Sequence, residues 1–166
     1  MAKKTVWILA QEKERGNNCI FISAHNGHIE KKGTYGPDQK VMGNLLADEL
    51  GDAYYAIGTD FFEAEVNLPK GDQRMTHTFY SYDPLAKAAA TSGLEVCWLD
   101  FSHVPETAES AKYINEPIMM GSVGEYFSPL MYALPQTYRV KREPAVPYDS
   151  MVFVSHAHPT EIKARS

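Results

Sequence analysis

Cys19-Ile20-Phe21-Ile22-Ser23-Ala24-His25-Asn26-Gly27-His28 is the stretch on which the reading of this chain turns. Its first half is a short apolar run of strand-forming residues, of the kind that fits a strand buried on both faces. It then breaks into a polar tip that carries two imidazoles. Asn26-Gly27 is a turn signal, because both residues tolerate positive φ. Open α/β sheets place ligands beyond the carboxyl ends of their strands, which makes His25 and His28 candidates for chemistry. The plainer reading of each is an ordinary loop histidine.

Working outward, strand-like and helix-like segments alternate. Ala2 to Glu14 has Val6, Leu9 and Ala10 in helical step, and Gly16-Asn17-Asn18 stops it. After the histidine tip, Ile29 to Lys40 is polar and holds Gly33, Gly36 and Pro37, which predicts a long loop and a lid over the tip. Val41 to Leu50 has the apolar stripe of a second helix, closed by Gly51. Ala53 to Thr59 reads as another strand, ending in the polar segment Asp60-Phe61-Phe62-Glu63-Ala64-Glu65. Leu68 to Thr76 reads as a loop, and Thr78-Phe79-Tyr80 as a short strand.

Asp83-Pro84 is a helix entry, an acidic N-cap followed by proline at the first helical position, so Leu85 to Ser92 is helical. Glu95 to Phe101 is a further strand, Pro105 to Tyr113 a possible helix, and Met151-Val152-Phe153-Val154 the last strand. Strands near 19–24, 53–59, 95–101 and 151–155 alternating with helices predict an α/β fold, a mainly parallel sheet flanked by helices. The 166 residues fit one domain over 1–166.

Composition narrows the function. Hydrophobic residues at 44% and charged residues at 22% are those of an ordinary globular protein. A net charge of -5 argues against binding a nucleic-acid backbone, which calls for a clustered basic surface. No apolar run approaches the ~20 residues of a membrane span. Cys19 and Cys97 fall inside apolar strand runs, which predicts buried, reduced thiols and a cytoplasmic protein.

Further along, Ala24-His25-Asn26-Gly27-His28, Met42-Gly43-Asn44-Leu45-Leu46 and Leu50-Gly51-Asp52-Ala53-Tyr54-Tyr55-Ala56-Ile57-Gly58 together resemble the erythromycin esterase family. Tyr148-Asp149-Ser150-Met151-Val152-Phe153-Val154 is similar to the strand near that family's C-terminus. Val6-Trp7-Ile8-Leu9 is similar to the internal helix before its A-H-N-x-H strand. The resemblance implies an erythromycin-esterase-like hydrolase of a carboxylic ester or lactone, with macrolides suggested by the family name. It implies pocket histidines at His25 and His28 that bind and polarise the substrate carbonyl, and no cofactor. It also carries a departure. Members of the family are much longer, and their water-activating histidine follows a Gly-Glu pair in the N-terminal half. Here Gly124-Glu125 leads into Tyr126-Phe127-Ser128, without that histidine. The resemblance therefore implies a C-terminal portion, completed by a second polypeptide or covered by self-association.

Within general-base ester hydrolysis, His25 or His28 could act as base, acid or oxyanion donor, and Glu63 or Glu65 could orient an imidazole. Asn26, Asp60 and Glu65 complete the expected rim as substrate-binding groups, on the argument that parallel strands bring the tips at Ala24 and Thr59 to one edge. For the acids the plainer reading is a solvated edge. Ser122 lacks the G-x-S-x-G context of a nucleophile. A metal-dependent hydrolase using His25, His28 and Glu63 is a rival chemistry, and His156-Ala157-His158 is a second candidate pair, although no metal is assigned. His77 and His103 stand alone and read as structural, and Trp98 as sheet packing. A non-catalytic binding or interaction domain is the alternative from another class.

Overall fold

The computed structural model describes residues 1–32, 39–70, 73–107 and 109–159. Its helices are α1 (Ala2–Glu14), the single turn α2 (Asn26–Ile29), α3 (Met42–Leu50), α4 (Pro84–Thr91), α5 (Glu109–Asn115) and the short α6 (Leu130–Ala133). Its strands are β1 (Ile57–Lys70), β2 (Gln73–Tyr80), β3 (Val96–Asp100), β4 (Ile118–Gly121), β5 (Arg139–Arg142) and β6 (Ser150–Ala157). They form a four-stranded sheet in the order β2-β1-β6-β3 and a separate antiparallel pair, β4-β5. No helix among the described residues is long and apolar enough to cross a membrane.

The α/β class stands, but the mainly parallel sheet does not. Only β1 and β6 run parallel, with Thr59 opposite Val152 and Glu63 opposite His156. β1 pairs with β2 antiparallel, and so does β6 with β3. The cause is the length of β1. Its 14 residues run straight through the polar segment Asp60 to Glu65 and on to Lys70, and the chain then returns as β2. Neither the segment at 60–65 nor most of that at 68–76 is a loop. From Glu63 to Leu68, acidic or amide residues alternate with Ala64, Val66 and Leu68, the period-2 pattern of a strand with one apolar face.

The expected strand over 19–24 is also absent. Those residues carry neither helix nor strand, and side-chain exposure alternates along them. Ile22 and Ala24 pack with Ala2, Met42 and Leu46 between α1 and α3. Phe21 remains 85% exposed. An apolar, β-branched run states a capacity for pairing, but a strand also needs a backbone edge beside it. Cys19 is accordingly exposed, against the burial expected from its run, and Cys97 is half-buried beside α4; both are free thiols.

The main core lies on one face of the sheet. Leu85, Ala86 and Ala89 of α4 meet Met151 and Phe153 of β6, with Ile114, Ile118 and Met120 closing the end. α4 begins as its sequence predicts: Asp83 Oδ1 accepts the N–H groups of Leu85 (2.8 Å) and Ala86 (2.9 Å), with Pro84 at the first position. A second cluster, Leu68, Phe79, Met131 and Tyr138, packs the β1-β2 hairpin against the segment before β5.

Candidate functional site

His25 is the N-cap of α2, and its ring does the capping: the Gly27 N–H donates to Nδ1 at 3.2 Å. An amide can only donate, so Nδ1 accepts, and the proton of the neutral imidazole sits on Nε2. His25 thus presents a donor outward. It lines a cleft with Gly27, Glu30, Gly121, Ser122, Arg142 and Tyr148. The cleft encloses about 70 Å³, well below the ~300–1,000 Å³ of a site that engulfs a drug-sized molecule.

The tip is held residue by residue. Asn26 Nδ2 donates to the Thr59 carbonyl (2.6 Å), and Asn26 Oδ1 accepts from the Thr59 N–H (3.0 Å) and hydroxyl (3.1 Å). The Tyr54 hydroxyl donates to the Ile29 carbonyl at 2.6 Å. Burial, and then the Asp149 charge, push the Tyr54 phenol up to about 12, so it stays a donor. Asn44 Nδ2 donates to the Glu30 carbonyl (2.9 Å), while Asn44 Oδ1 accepts the Val41 N–H (2.9 Å) at the start of α3. The Lys31 N–H reaches the Pro147 carbonyl (2.9 Å), and Lys31 Nζ pairs with Asp149 (2.6 Å). Asp149 also accepts the Ala56 N–H (2.7 Å), tying the tip to the start of β1. Gly43 explains how α3 comes so near: a Cβ there would lie 2.2 Å from the Ile29 carbonyl carbon.

The other wall depends on Asp60. The Gly121 N–H donates to both its oxygens (3.2 and 3.0 Å) and the Phe61 N–H to Oδ1 (2.7 Å). The Ser81 hydroxyl lies between Asp60 (3.5 Å) and Asp83 (2.9 Å). All three side chains are buried. Desolvation first, and then the neighbouring Asp83, hold the Asp60 carboxyl well above the usual carboxylate range. Asp60 thereby fixes β4 and the Gly121-Ser122 wall from behind, instead of facing a ligand.

The structure brings few of the expected site residues together. His28 is exposed and its ring centroid is 6.2 Å from that of His25, edge to face. Glu63 faces His156 (Oε2 to Nε2, 3.7 Å) and Glu65 faces His158 (3.5 Å), so the acids of β1 pair with the second histidine pair and do not line the His25 cleft. Asn26 lines the cleft beside His25, with its carboxamide bonded to Thr59. Among the described residues, no three His, Cys, Asp or Glu side chains gather as a metal-holding group. Of the predicted lid, residues 33–38 lie outside the described residues. His77 is buried, stacked on Phe127 at 3.5 Å and bonded through Nδ1 to the Tyr132 hydroxyl (2.8 Å), in keeping with a structural residue.

Sequence reasoning passed over Glu30, Arg142 and Tyr148. Glu30 is buried, with its carboxylate 3.9 Å from the Arg142 guanidinium in the cleft wall. Nothing in the run Lys141-Arg142-Glu143 marks that arginine. Tyr148 lay within the quoted resemblance, and its ring fills the space where a Cβ on Gly58 would stand, 2.8 Å away.

A mixed sheet with a histidine turn clamped at the margin of β1 defines an α/β protein with a small cleft. The chain belongs to the erythromycin esterase family, whose model matches residues 1–157. Two solved structures are similar. One, a Bacillus cereus protein, is 22% identical with a TM-score of 0.66, covering 84% of this chain and 34% of its own. The other, a succinoglycan biosynthesis protein, is 19% identical with a TM-score of 0.67, covering 84% and 33%. At those identities they support the fold. The chain spans about a third of the length of either. No curated protein matches it.

Proposed function

We propose that the His25 cleft is the carbonyl-binding part of a hydrolytic site for a carboxylic ester or lactone, in a protein of which this chain forms the C-terminal portion. The observation that carries this reading is the Gly27 N–H on His25 Nδ1, which leaves Nε2–H as the outward group. In ester hydrolysis water adds to the carbonyl carbon and the carbonyl oxygen gains negative charge. A donor fixed in advance stabilises that oxygen. Collapse then breaks the acyl–oxygen bond, and the leaving oxygen takes a proton to release acid and alcohol. The base that removes the water proton comes from outside this chain, since Nδ1 is engaged and the family's water-activating motif has no match in it. Arg142, held beside Glu30, adds a cationic wall.

The test is an assay of the chain with an activated ester and a macrolide lactone, beside binding of an alkyl phosphonate that mimics the tetrahedral intermediate. A missing base contributes about 10²–10⁴-fold, so turnover by this chain should be slight. Phosphonate binding should fall at least about tenfold in His25→Ala and hold in His28→Ala. Strong turnover by the chain, abolished in His25→Ala, would make His25 the base and overturn the donor role.

A further inference from the structure

Two consecutive residues of β1 hold the two sides of the His25 cleft. Thr59 grips the histidine turn through the Asn26 carboxamide. Asp60 grips the opposite side, its carboxyl accepting the Gly121 N–H at 3.2 and 3.0 Å. Gly121 allows that close approach, because a Cβ there would lie 2.6 Å from Asp60 Oδ1. The next residue, Ser122, is fixed from the β5 side as well, its N–H donating to the Tyr138 carbonyl at 2.8 Å. That bond carries the β4-β5 register one step past Gly121, which lies opposite Arg139. Side chains two residues apart along a strand share a face. Ser122 therefore follows Met120, and Met120, Val140 and Arg142 on that face all line the cleft, as Ser122 does. Ser122 is half-buried, and among the described residues its hydroxyl has no hydrogen-bond partner. The two anchored walls thus present two unused donors, His25 Nε2–H and Ser122 Oγ–H.

We infer that the Ser122 hydroxyl donates to the same carbonyl oxygen as His25 Nε2–H and is the second donor to the charge that develops there. The inference rests on the carbonyl-binding reading of the cleft and adds a catalytic residue to it. An oxyanion is stabilised by donors fixed in place before the reaction. Anchorage of the Ser122 backbone to β1 and β5 supplies that fixity, and the hydroxyl hydrogen rotates to meet its acceptor. The role is donation and not attack. A nucleophilic serine needs a base to take its proton, and His25 Nε2 already carries one.

The probe is the alkyl phosphonate, titrated into the chain and followed by calorimetry. Binding should fall about ten- to a hundredfold in Ser122→Ala, the loss expected for a hydrogen bond to a charged oxygen. The urea midpoint should not move, since the hydroxyl bonds to nothing among the described residues. Ser122→Thr keeps a hydroxyl and should bind within a few-fold of the parent. A fluorophosphonate, which marks nucleophilic serines, should leave Ser122 without an adduct by mass spectrometry. Equal losses in Ser122→Ala and Ser122→Thr would overturn the inference, as would an adduct on Ser122. A loss in Ser122→Ala with none in His25→Ala would break the pairing and overturn it too. Binding that falls in His25→Ala and holds in Ser122→Ala would overturn the inference and leave the reading of the cleft intact. A parent chain that fails to bind the phosphonate would overturn both.

Discussion

Asn26 and Thr59 are joined by the two ends of one carboxamide: Nδ2 donates to the Thr59 carbonyl and Oδ1 accepts the Thr59 N–H. A side chain here takes the place that a neighbouring strand's backbone would hold. It sets the distance between the histidine turn and β1, and hence where the His25 ring stands. Asn26→Ala removes both backbone bonds and the one from the Thr59 hydroxyl, and at about 0.5–1.5 kcal/mol for each it should lower stability by ~1.5–4.5 kcal/mol. Asn26→Asp keeps the acceptor but sets a carboxylate against the Thr59 carbonyl, and should cost at least as much. Urea denaturation measures the loss. Stability unchanged in both variants would mean that the turn is held by its other contacts alone.

Asp60 gives a pH dependence of known sign. Its folded pKa lies above the ordinary carboxyl value because burial and Asp83 disfavour its charge. The folded state therefore binds this proton more tightly than the unfolded state. The contribution is fully present below the unfolded pKa and is lost as pH rises through the folded one. Asp60→Asn removes the ionisation and keeps an oxygen for the Gly121 N–H. Thermal melts from pH 4 to 9 should show the variant gaining on the parent as pH rises. Parallel curves would place the raised pKa elsewhere.

Tyr54 should be visible directly. Its phenol is held near 12, against the ordinary 10, by burial and by Asp149. Absorbance at high pH should resolve a late-titrating tyrosine that Tyr54→Phe abolishes. A raised folded pKa again means stability present below 10 and lost as pH climbs through about 12. Below pH 10, Tyr54→Phe should cost about 0.5–1.5 kcal/mol, through the lost bond to the Ile29 carbonyl.

The two cysteines should react at different rates. Cys19 is exposed on the unpaired run, whereas Cys97 is half-buried, with its sulfur 3.5 Å from the Ser92 hydroxyl. A thiol reagent on the native chain should modify Cys19 first and Cys97 markedly later, and urea should abolish the difference. Equal rates without urea would contradict the packing of β3 on α4.

Local signals were the legible ones. Asp83-Pro84 announces α4, and the apolar stripe from Val41 announces α3, because caps and helical period are properties of a few adjacent residues. The strand at 96–100 and that at 150–157 were readable from β-branched runs for the same reason. Strand direction was not, because it depends on where a chain turns, and Pro69 and Gly71 drew attention from the alternation Glu63 to Leu68. The site divided in the same way. His25 could be picked out by its place at a turn. Its partners Gly121, Arg142 and Tyr148 come from distant segments, and only the fold brings them to the cleft. Asp60 and Asn26 were expected as substrate-binding groups; Asp60 instead accepts the Gly121 and Phe61 N–H groups, and the Asn26 carboxamide is bonded to Thr59.

Glu63 tests that division most simply. As a group that orients the His25 imidazole it would be sensitive to any change. As placed, it faces His156 across the parallel pair at 3.7 Å, with the histidine 63% exposed. An ion pair that open is worth about 0.2–1 kcal/mol, and only while the imidazole is charged. A double-mutant cycle of Glu63→Gln and His156→Ala should therefore return a coupling no larger than that range. Phosphonate binding at the His25 cleft should be unchanged in Glu63→Gln. A large loss of that binding, with no coupling to His156, would return Glu63 to the histidine turn and require β1 to lie differently against it.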